Sequence, residues 1–266
     1  MKIGCCARPE EISLVKEAGF DYVELAGKTL ASMEESRFKA LVDKLGSLDL
    51  PCWNLNACCP PQIHMAGPLY HREINRAYLQ KLASRASVLG IRCVCVGSPM
   101  SRILPEGFDR KLAEEQLVAF LVDMTEVFSP IGVRIGFEPL GTCYCNFFNY
   151  MEETPPLLAH FPRELVGLTV DFYNLEHSQE ADRPLDAYLP RIFHVHISDD
   201  AGSPSQRDFL IPGKYPIHQA RLRRLIDSGY HGSVSIEIDK PVRLPEATVS
   251  LQLLRKACVS EAASCG

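Results

Sequence analysis

The stretch Val133-Arg134-Ile135-Gly136-Phe137-Glu138-Pro139-Leu140 sets apolar residues two apart, ends on a carboxylate and closes with a proline that stops sheet pairing. It reads as a short strand with Glu138 at its exit. A single glutamate at a strand end is usually a solvated side chain, so the reading rests on repetition. Residues 167–171, 191–198 and 233–239 follow the same pattern, each an apolar strand with a metal-capable side chain near its C-terminal end.

Working outward, short strands are predicted over 2–6, 21–25, 51–56, 91–96, 133–138, 165–171, 191–197 and 233–238. Helical spacing falls between them, over 9–18, 32–48, 73–89, 110–128, 149–161, part of 174–188, 217–229 and 244–257. Gly19 and Gly90 supply helix stops, while Pro155 and Pro156 blur the start of the sixth helix. Strands that alternate with helices imply a parallel sheet. Eight such units in one chain fit a closed (β/α)8 TIM barrel, of the α/β class, better than an open doubly wound sheet. No Gly-x-Gly-x-x-Gly follows the first strand, which also argues against a dinucleotide-binding sheet. The expectation is a single barrel domain over 1–258, with 259–266 a frayed, small-residue tail.

Composition excludes several classes. The formal charge of −5 leaves Arg221, Arg223 and Arg224 as the one dense basic cluster, read as a solvated helix face, so no nucleic-acid partner is expected. No apolar run approaches the roughly 18 residues of a membrane span, and no signal peptide opens the sequence, so a cytoplasmic protein without a membrane partner is expected. The 11 cysteines include adjacent pairs at Cys5/Cys6 and Cys58/Cys59 and Cys-x-Cys pairs at Cys93/Cys95 and Cys143/Cys145, but no double Cys-x-x-Cys framework. They read as reduced, small hydrophobes, with zinc held by Cys-x-Cys as the alternative.

Side chains alternate along a strand, so parity assigns faces. Outward residues should be bulky and apolar: Val133, Ile135 and Phe137; Leu168 and Val170; Phe193, Val195 and Ile197; Val234, Ile236 and Ile238. That leaves Glu138, Asp171, His194, His196 and Glu237 inside the barrel. In the first half, Tyr22 and Glu24 and then Asn54 and Asn56 point inward, against outward Val23, Leu25, Trp53 and Leu55. So polar an interior is costly unless its groups pair or hold a cation. Glu138, Asp171, His196 and Glu237 lie at the C-terminal strand ends, where this architecture keeps its active sites. Three carboxylates and one imidazole make an oxygen-rich site suited to Mn²⁺, Mg²⁺ or Co²⁺ rather than a structural zinc. The bland alternative is a self-satisfied hydrogen-bonded group, but three buried carboxylates without a cation repel and shift toward protonation. His194, one layer deeper, reads as an orienting or core histidine. Glu24 is either a substrate contact or a rim residue. His64, His71, His160, His177, His218 and His231 are expected at the surface.

The set Phe137-Glu138-Pro139-Leu140, Thr169-Val170-Asp171, His194-Val195-His196-Ile197-Ser198-Asp199 and Ser235-Ile236-Glu237 resembles the xylose isomerase-like barrels, in their sugar phosphate isomerase/epimerase branch, which includes ketose 3-epimerases. Gly97-Ser98, Arg102, Pro105-Glu106-Gly107-Phe108, Asn146-Phe147-Phe148-Asn149 and Gly229-Tyr230-His231-Gly232 extend the likeness over nearly the whole chain. The resemblance implies one divalent ion, manganese first and magnesium, cobalt or zinc as alternatives, on Glu138, Asp171, His196 and Glu237. It makes Glu138 and Glu237 the catalytic proton carriers. It implies isomerisation or epimerisation of a small sugar or ketose, phosphorylated or not, through a metal-stabilised enediolate.

Substrate-binding roles are expected for Glu24, Asn54, Asn174, His194 and Arg207. Asn174 stands where ketose 3-epimerases carry a substrate-binding histidine. Asp199-Asp200-Ala201-Gly202 stands where they carry an arginine, with Arg207 the nearest one. The resemblance leaves open a lyase that dehydrates a keto-polyol such as an inosose or dehydroshikimate. A non-catalytic carbohydrate-binding barrel is less expected, and so is an AP-endonuclease-type hydrolase, because the Asp-x-His motif after strand seven is missing. The partner expected is a small sugar, and a homodimer is left open.

Overall fold

The computed structural model describes residues 1–200, 202 and 206–258; the tail at 259–266 lies outside the described residues. The strands are β1 (Lys2–Ala7), β2 (Tyr22–Ala26), β3 (Cys52–Asn56), β4 (Cys93–Val96), β5 (Arg134–Phe137), β6 (Val166–Asp171), β7 (Ile192–Ile197), the short pair β8 (Asp199–Asp200) and β9 (Arg207–Asp208), and β10 (Ser233–Ile236). Eight of them close a barrel in the order β1-β10-β7-β6-β5-β4-β3-β2, with every neighbouring pair parallel. The helices packed around it are α1 (Ile12–Ala18), α2 (Gly27–Ser32), α3 (Glu35–Ser47), α4 (Arg72–Leu89), α5 (Arg110–Phe128), α6 (Thr154–Leu158), α7 (Phe172–His177), α8 (Tyr215–Asp227) and α9 (Leu244–Cys258). The expected (β/α)8 barrel is therefore the architecture observed. No helix among the described residues is long and apolar enough to cross a membrane.

The main apolar core lies between sheet and helices. Outward strand residues such as Val94, Ile135, Leu168, Val195 and Val234 meet helix residues such as Leu79, Leu117, Phe120 and Leu251 there. Gly19 and Gly90 end α1 and α4 in the left-handed conformation, as their sequence positions suggest. The helix expected over 32–48 is α3, which starts at Glu35, and a short helix not expected from the sequence, α2, precedes it and ends at extended Met33. The region 149–161 keeps one turn of 3-10 helix and the short α6, whose first turn accommodates Pro155 and Pro156.

Parity fails at two strands, and both failures are register shifts. Between β6 and β7, Leu168 pairs with Ile192 but Thr169 pairs with His194, so Phe193 is the extra residue. Phe193 turns inward and packs with Cys93 and Cys95, close enough to Gly167 that a Cβ there would meet its ring. Between β2 and β3, Val23 pairs with Cys52 and Glu24 with Asn54, so Trp53 is extra. Its ring stacks on inward-facing Tyr22 with centroids 4.9 Å apart. Trp53 and Phe193 were expected outside. They instead join the floor of the barrel, where Arg92 covers Trp53 at 3.6 Å and Arg134 covers Phe193 at 4.5 Å.

Two surface expectations are also overturned. His218 is buried because its Nε2 meets the carboxylate of buried Asp199 at 3.0 Å. Arg221 is buried on α8, donating to Glu176 of α7 at 2.5 Å and lying over Phe172, so the basic cluster is not simply a solvated face. The ten described cysteines form no disulfide and eight of them are buried, which fits the reading of small hydrophobes.

Candidate metal centre and active site

Each ring residue arrives from the exit of a strand. Glu138 directly follows β5, and its amide still donates to Val96 at the end of the neighbouring strand β4, at 3.3 Å. Asp171 ends β6 and caps α7, with Oδ1 accepting the Tyr173 amide at 2.9 Å. His196 is the penultimate residue of β7. Glu237 directly follows β10, its amide donating to Ile197 at 3.1 Å. Glu138, Asp171 and His196 are buried and Glu237 partly so, with one ligand atom of each lying within 4.8 Å of all the others.

A second storey fixes this ring from below. His196 Nε2 donates to Glu24 Oε1 at 2.9 Å, and His194 Nε2 donates to Glu24 Oε2 at 2.9 Å. Ser235 and Cys95 also direct their protons at Glu24. Burial alone would raise the Glu24 carboxyl, but the two histidines and their hydrogen bonds hold it well below the usual carboxylate range. Burial keeps His194 below the ordinary histidine value, so its Nδ1 accepts, from Asn54 at 3.2 Å and Ser233 at 2.8 Å.

The consequence falls on His196. With Nε2–H committed to Glu24, Nδ1 is turned into the ring, buried and without a hydrogen-bond partner. Glu237 Oε2 lies 3.5 Å from it and Glu138 Oε1 3.9 Å, too long for hydrogen bonds. Burial opposes charge on His196, yet the Glu237 and Glu24 carboxylates raise it well above the ordinary histidine range. Burial, helped by the charges of Glu237 and Asp171 and opposed by His196, pushes Glu138 up to about 7. An imidazole nitrogen and three carboxylates converging on one point, with the imidazole oriented by a carboxylate behind it, form a donor set that fits a divalent ion.

Asparagines hold the two glutamates. Asn174 Nδ2 donates to Glu138 Oε1 at 2.9 Å, and Asn56 Nδ2 to Glu237 Oε1 at 2.8 Å. Arg207 enters from β9, its Nη1 2.5 Å from Asp171 Oδ2 and 2.6 Å from Glu237 Oε2. Above the ring opens a cleft of about 240 Å³ whose walls include Glu138, Glu237, Arg207, Lys28, Tyr144 and Ser98.

The four expected ligands are thus brought together, but the expected substrate contacts are largely redistributed. Glu24, Asn54 and His194 lie beneath the ring and away from the cleft, because each spends its polar atoms on the second storey. Neither the substrate contact nor the rim role describes Glu24. Asn174 is also buried, its amide divided among Glu138, Gly141 and Arg207. Of the five, Arg207 alone lines the cleft.

Asn56 was missed as a functional residue. It sits one step nearer the strand exit than Asn54 on the same inward face, and that step places it beside Glu237. Lys28 and Tyr144 come from loops and helix starts that carry no periodic signal.

The chain matches the model of the xylose isomerase-like TIM barrel over residues 12–257. No curated protein sequence matches it. Among solved structures it is similar to a D-psicose 3-epimerase from Clostridium cellulolyticum H10 bound to D-tagatose, at 16% identity and TM-score 0.75 over 97% of this chain and 99% of that one. It is also similar to the 3-keto-D-glucoside 4-epimerase YcjR from E. coli, at 18% identity and TM-score 0.73 over 96% and 99%. A third is the IOLI protein with a bound zinc atom, at 18% identity and TM-score 0.65 over 97% and 96%. Likenesses at such low identity establish the fold. The match to the family model over nearly the full length, together with the closed parallel barrel, establishes the family: this chain belongs to the xylose isomerase-like TIM barrels.

Proposed function

We propose that this chain is a divalent-metal-dependent isomerase or epimerase of a small sugar or ketose. The observation that carries the reading is the pair Glu138 and Glu237. Both face the cleft, both close on His196 Nδ1, and each is held by its own asparagine. Glu138, Asp171, His196 and Glu237 would hold the ion, which when bound supplies Lewis acidity that makes a proton beside a ketone removable by a carboxylate. The epimerases among the structural neighbours support the same chemistry, and the zinc-bound protein supports a divalent ion in a barrel of this fold.

The chain's own residues supply the proton path. One glutamate, as the carboxylate, takes the carbon-bound proton. The other, protonated, delivers one to the opposite face and inverts the centre, or to the adjacent carbon and exchanges ketose for aldose. Asn56 and Asn174 each donate to one glutamate oxygen, Oε1, and so fix where the second oxygen points. Arg207 and Lys28 place donors on the cleft wall for hydroxyl groups or a phosphate.

The test is incubation of Mn²⁺-loaded protein with D-fructose, D-tagatose and D-psicose in D₂O, followed by NMR. Solvent deuterium should appear on the carbon beside the carbonyl in at least one sugar. Glu138→Gln and Glu237→Gln should each reduce that exchange by about 100-fold or more. Undiminished exchange in both variants would remove the glutamates from the proton path. A new enone absorbance without exchange into recovered ketose would make the chain a dehydratase instead.

A further inference from the structure

Among the described residues, Arg207 is the one strongly basic group inside the ring of carboxylates, and its surroundings say how it is held. Its main chain is clamped. The Arg207 amide donates to Asp239 Oδ2 at 3.0 Å, the Asp239 amide donates back to the Arg207 carbonyl at 3.2 Å, and Arg207 pairs with Asp200 in the β8–β9 hairpin. The next residue, Asp208, is fastened to Lys240 at 3.0 Å and Arg243 at 2.7 Å. The side chain, by contrast, is held by polar contacts to the ring and by the faces of Tyr173 and Tyr144, at 4.7 Å and 5.6 Å.

Which oxygens it touches is decisive. Asp171 Oδ1 already accepts the Tyr173 amide, and Glu237 Oε1 accepts Asn56. The other oxygens of these two residues, Asp171 Oδ2 and Glu237 Oε2, both face Arg207 Nη1, at 2.5 Å and 2.6 Å. An ion about 2 Å from the same oxygens would face the guanidinium as a like charge across a very short gap.

We propose that Arg207 is an internal cation that competes with the divalent ion for Asp171 and Glu237, and that its side chain swings into the cleft as the ion binds while the hairpin stays in place. This rests on the ring being the metal site argued above. The guanidinium neutralises part of the charge of three clustered carboxylates, which stabilises the ring before the ion arrives and weakens the apparent affinity for it. Tyr144, on the cleft wall, offers an aromatic face for the displaced group. The tether through Asp239 keeps Arg207 within reach of the site throughout.

The experiment compares wild type, Arg207→Met and Arg207→Lys, titrating metal-free protein with Mn²⁺ and following free Mn²⁺ by electron paramagnetic resonance, with thermal unfolding measured on the same samples. R207M should bind Mn²⁺ about tenfold tighter or more, since a competing charged pair has been removed. Its metal-free form should melt lower than wild type and gain more from Mn²⁺. R207K keeps the charge but loses the second nitrogen that donates to Asn174 and carries a more strongly hydrated head, so it should fall between the two, which keeps the test available if R207M does not fold without metal. Affinity in R207M, or in R207K if that is the variant that folds, equal to or weaker than wild type would overturn the competition while leaving the metal site standing. No Mn²⁺ binding to any of the three would remove the metal site, and the competition with it.

Discussion

Glu24 has no solvent exposure, yet four donors converge on its two oxygens: His196, His194, Ser235 and Cys95. A buried carboxylate survives only when its lone pairs are satisfied, and here the satisfaction selects a tautomer. Because His196 Nε2 carries its proton toward Glu24, Nδ1 is the nitrogen turned toward Glu138, Asp171 and Glu237, and the one whose lone pair an ion would take. Glu24 is therefore a positioning residue whose effect is felt above it. In Glu24→Gln the amide sets an N–H against one of the imidazole N–H groups and disturbs that choice. Mn²⁺ affinity should fall by about 10- to 100-fold, as for other residues that orient a histidine ligand. The measurement is the same Mn²⁺ titration, run on variant protein that retains its far-ultraviolet circular dichroism. Affinity equal to wild type would show that the tautomer is fixed by something other than Glu24.

Strand exits carry the site, and their small residues make room for it. A Cβ on Gly97, just past β4, would stand 2.5 Å from Glu138 Oε2 and touch nothing else closer than 3.3 Å. Gly97→Ala should thus push the Glu138 carboxylate aside while leaving the barrel intact. Thermal stability should fall by about 1 kcal/mol, the low end of overpacking costs because a carboxylate rather than backbone gives way, whereas Mn²⁺ affinity and proton exchange should both fall at least severalfold. A large loss of stability with unchanged affinity would mean that the strand, not Glu138, absorbs the methyl.

The same scale explains what was legible in the sequence. Where a strand alternates cleanly, as in β5, β6 and β10, parity placed Glu138, Asp171 and Glu237 inside. His196 also came out right, because the shift in β7 precedes it. Trp53 and Phe193 were misplaced because a one-residue bulge leaves no mark in composition, and the aromatic rings needed to fill the barrel floor look like ordinary outward residues. Asn56 was passed over for Asn54 because parity gives the face but not the depth. His218 and Asp199 were not joined because their pairing depends on how the exit of β7 meets α8, which no local pattern shows.

At the scale of the whole molecule, the barrel divides its interior by height. Aromatic rings capped by Arg92 and Arg134 close the floor, a hydrogen-bonded storey around Glu24 fills the middle, and the carboxylate ring opens into the cleft. Arg102 supports the upper level from outside the ring. It is fully buried, donates to the Glu138 carbonyl at 2.5 Å and lies over Phe137. The ordering places charge where the strands end and where solvent and ligand can enter, as the C-terminal face of such barrels generally does. Everything proposed for this chain depends on a single ion at the top of that column.

Crystals grown with Mn²⁺, with anomalous diffraction collected at the manganese edge, address that dependence most directly. The account predicts one strong peak about 2 Å from oxygens of Glu138, Asp171 and Glu237 and from His196 Nδ1, with the Arg207 side chain moved off Asp171. A peak elsewhere, or none while Arg207 still bridges Asp171 and Glu237, would contradict it.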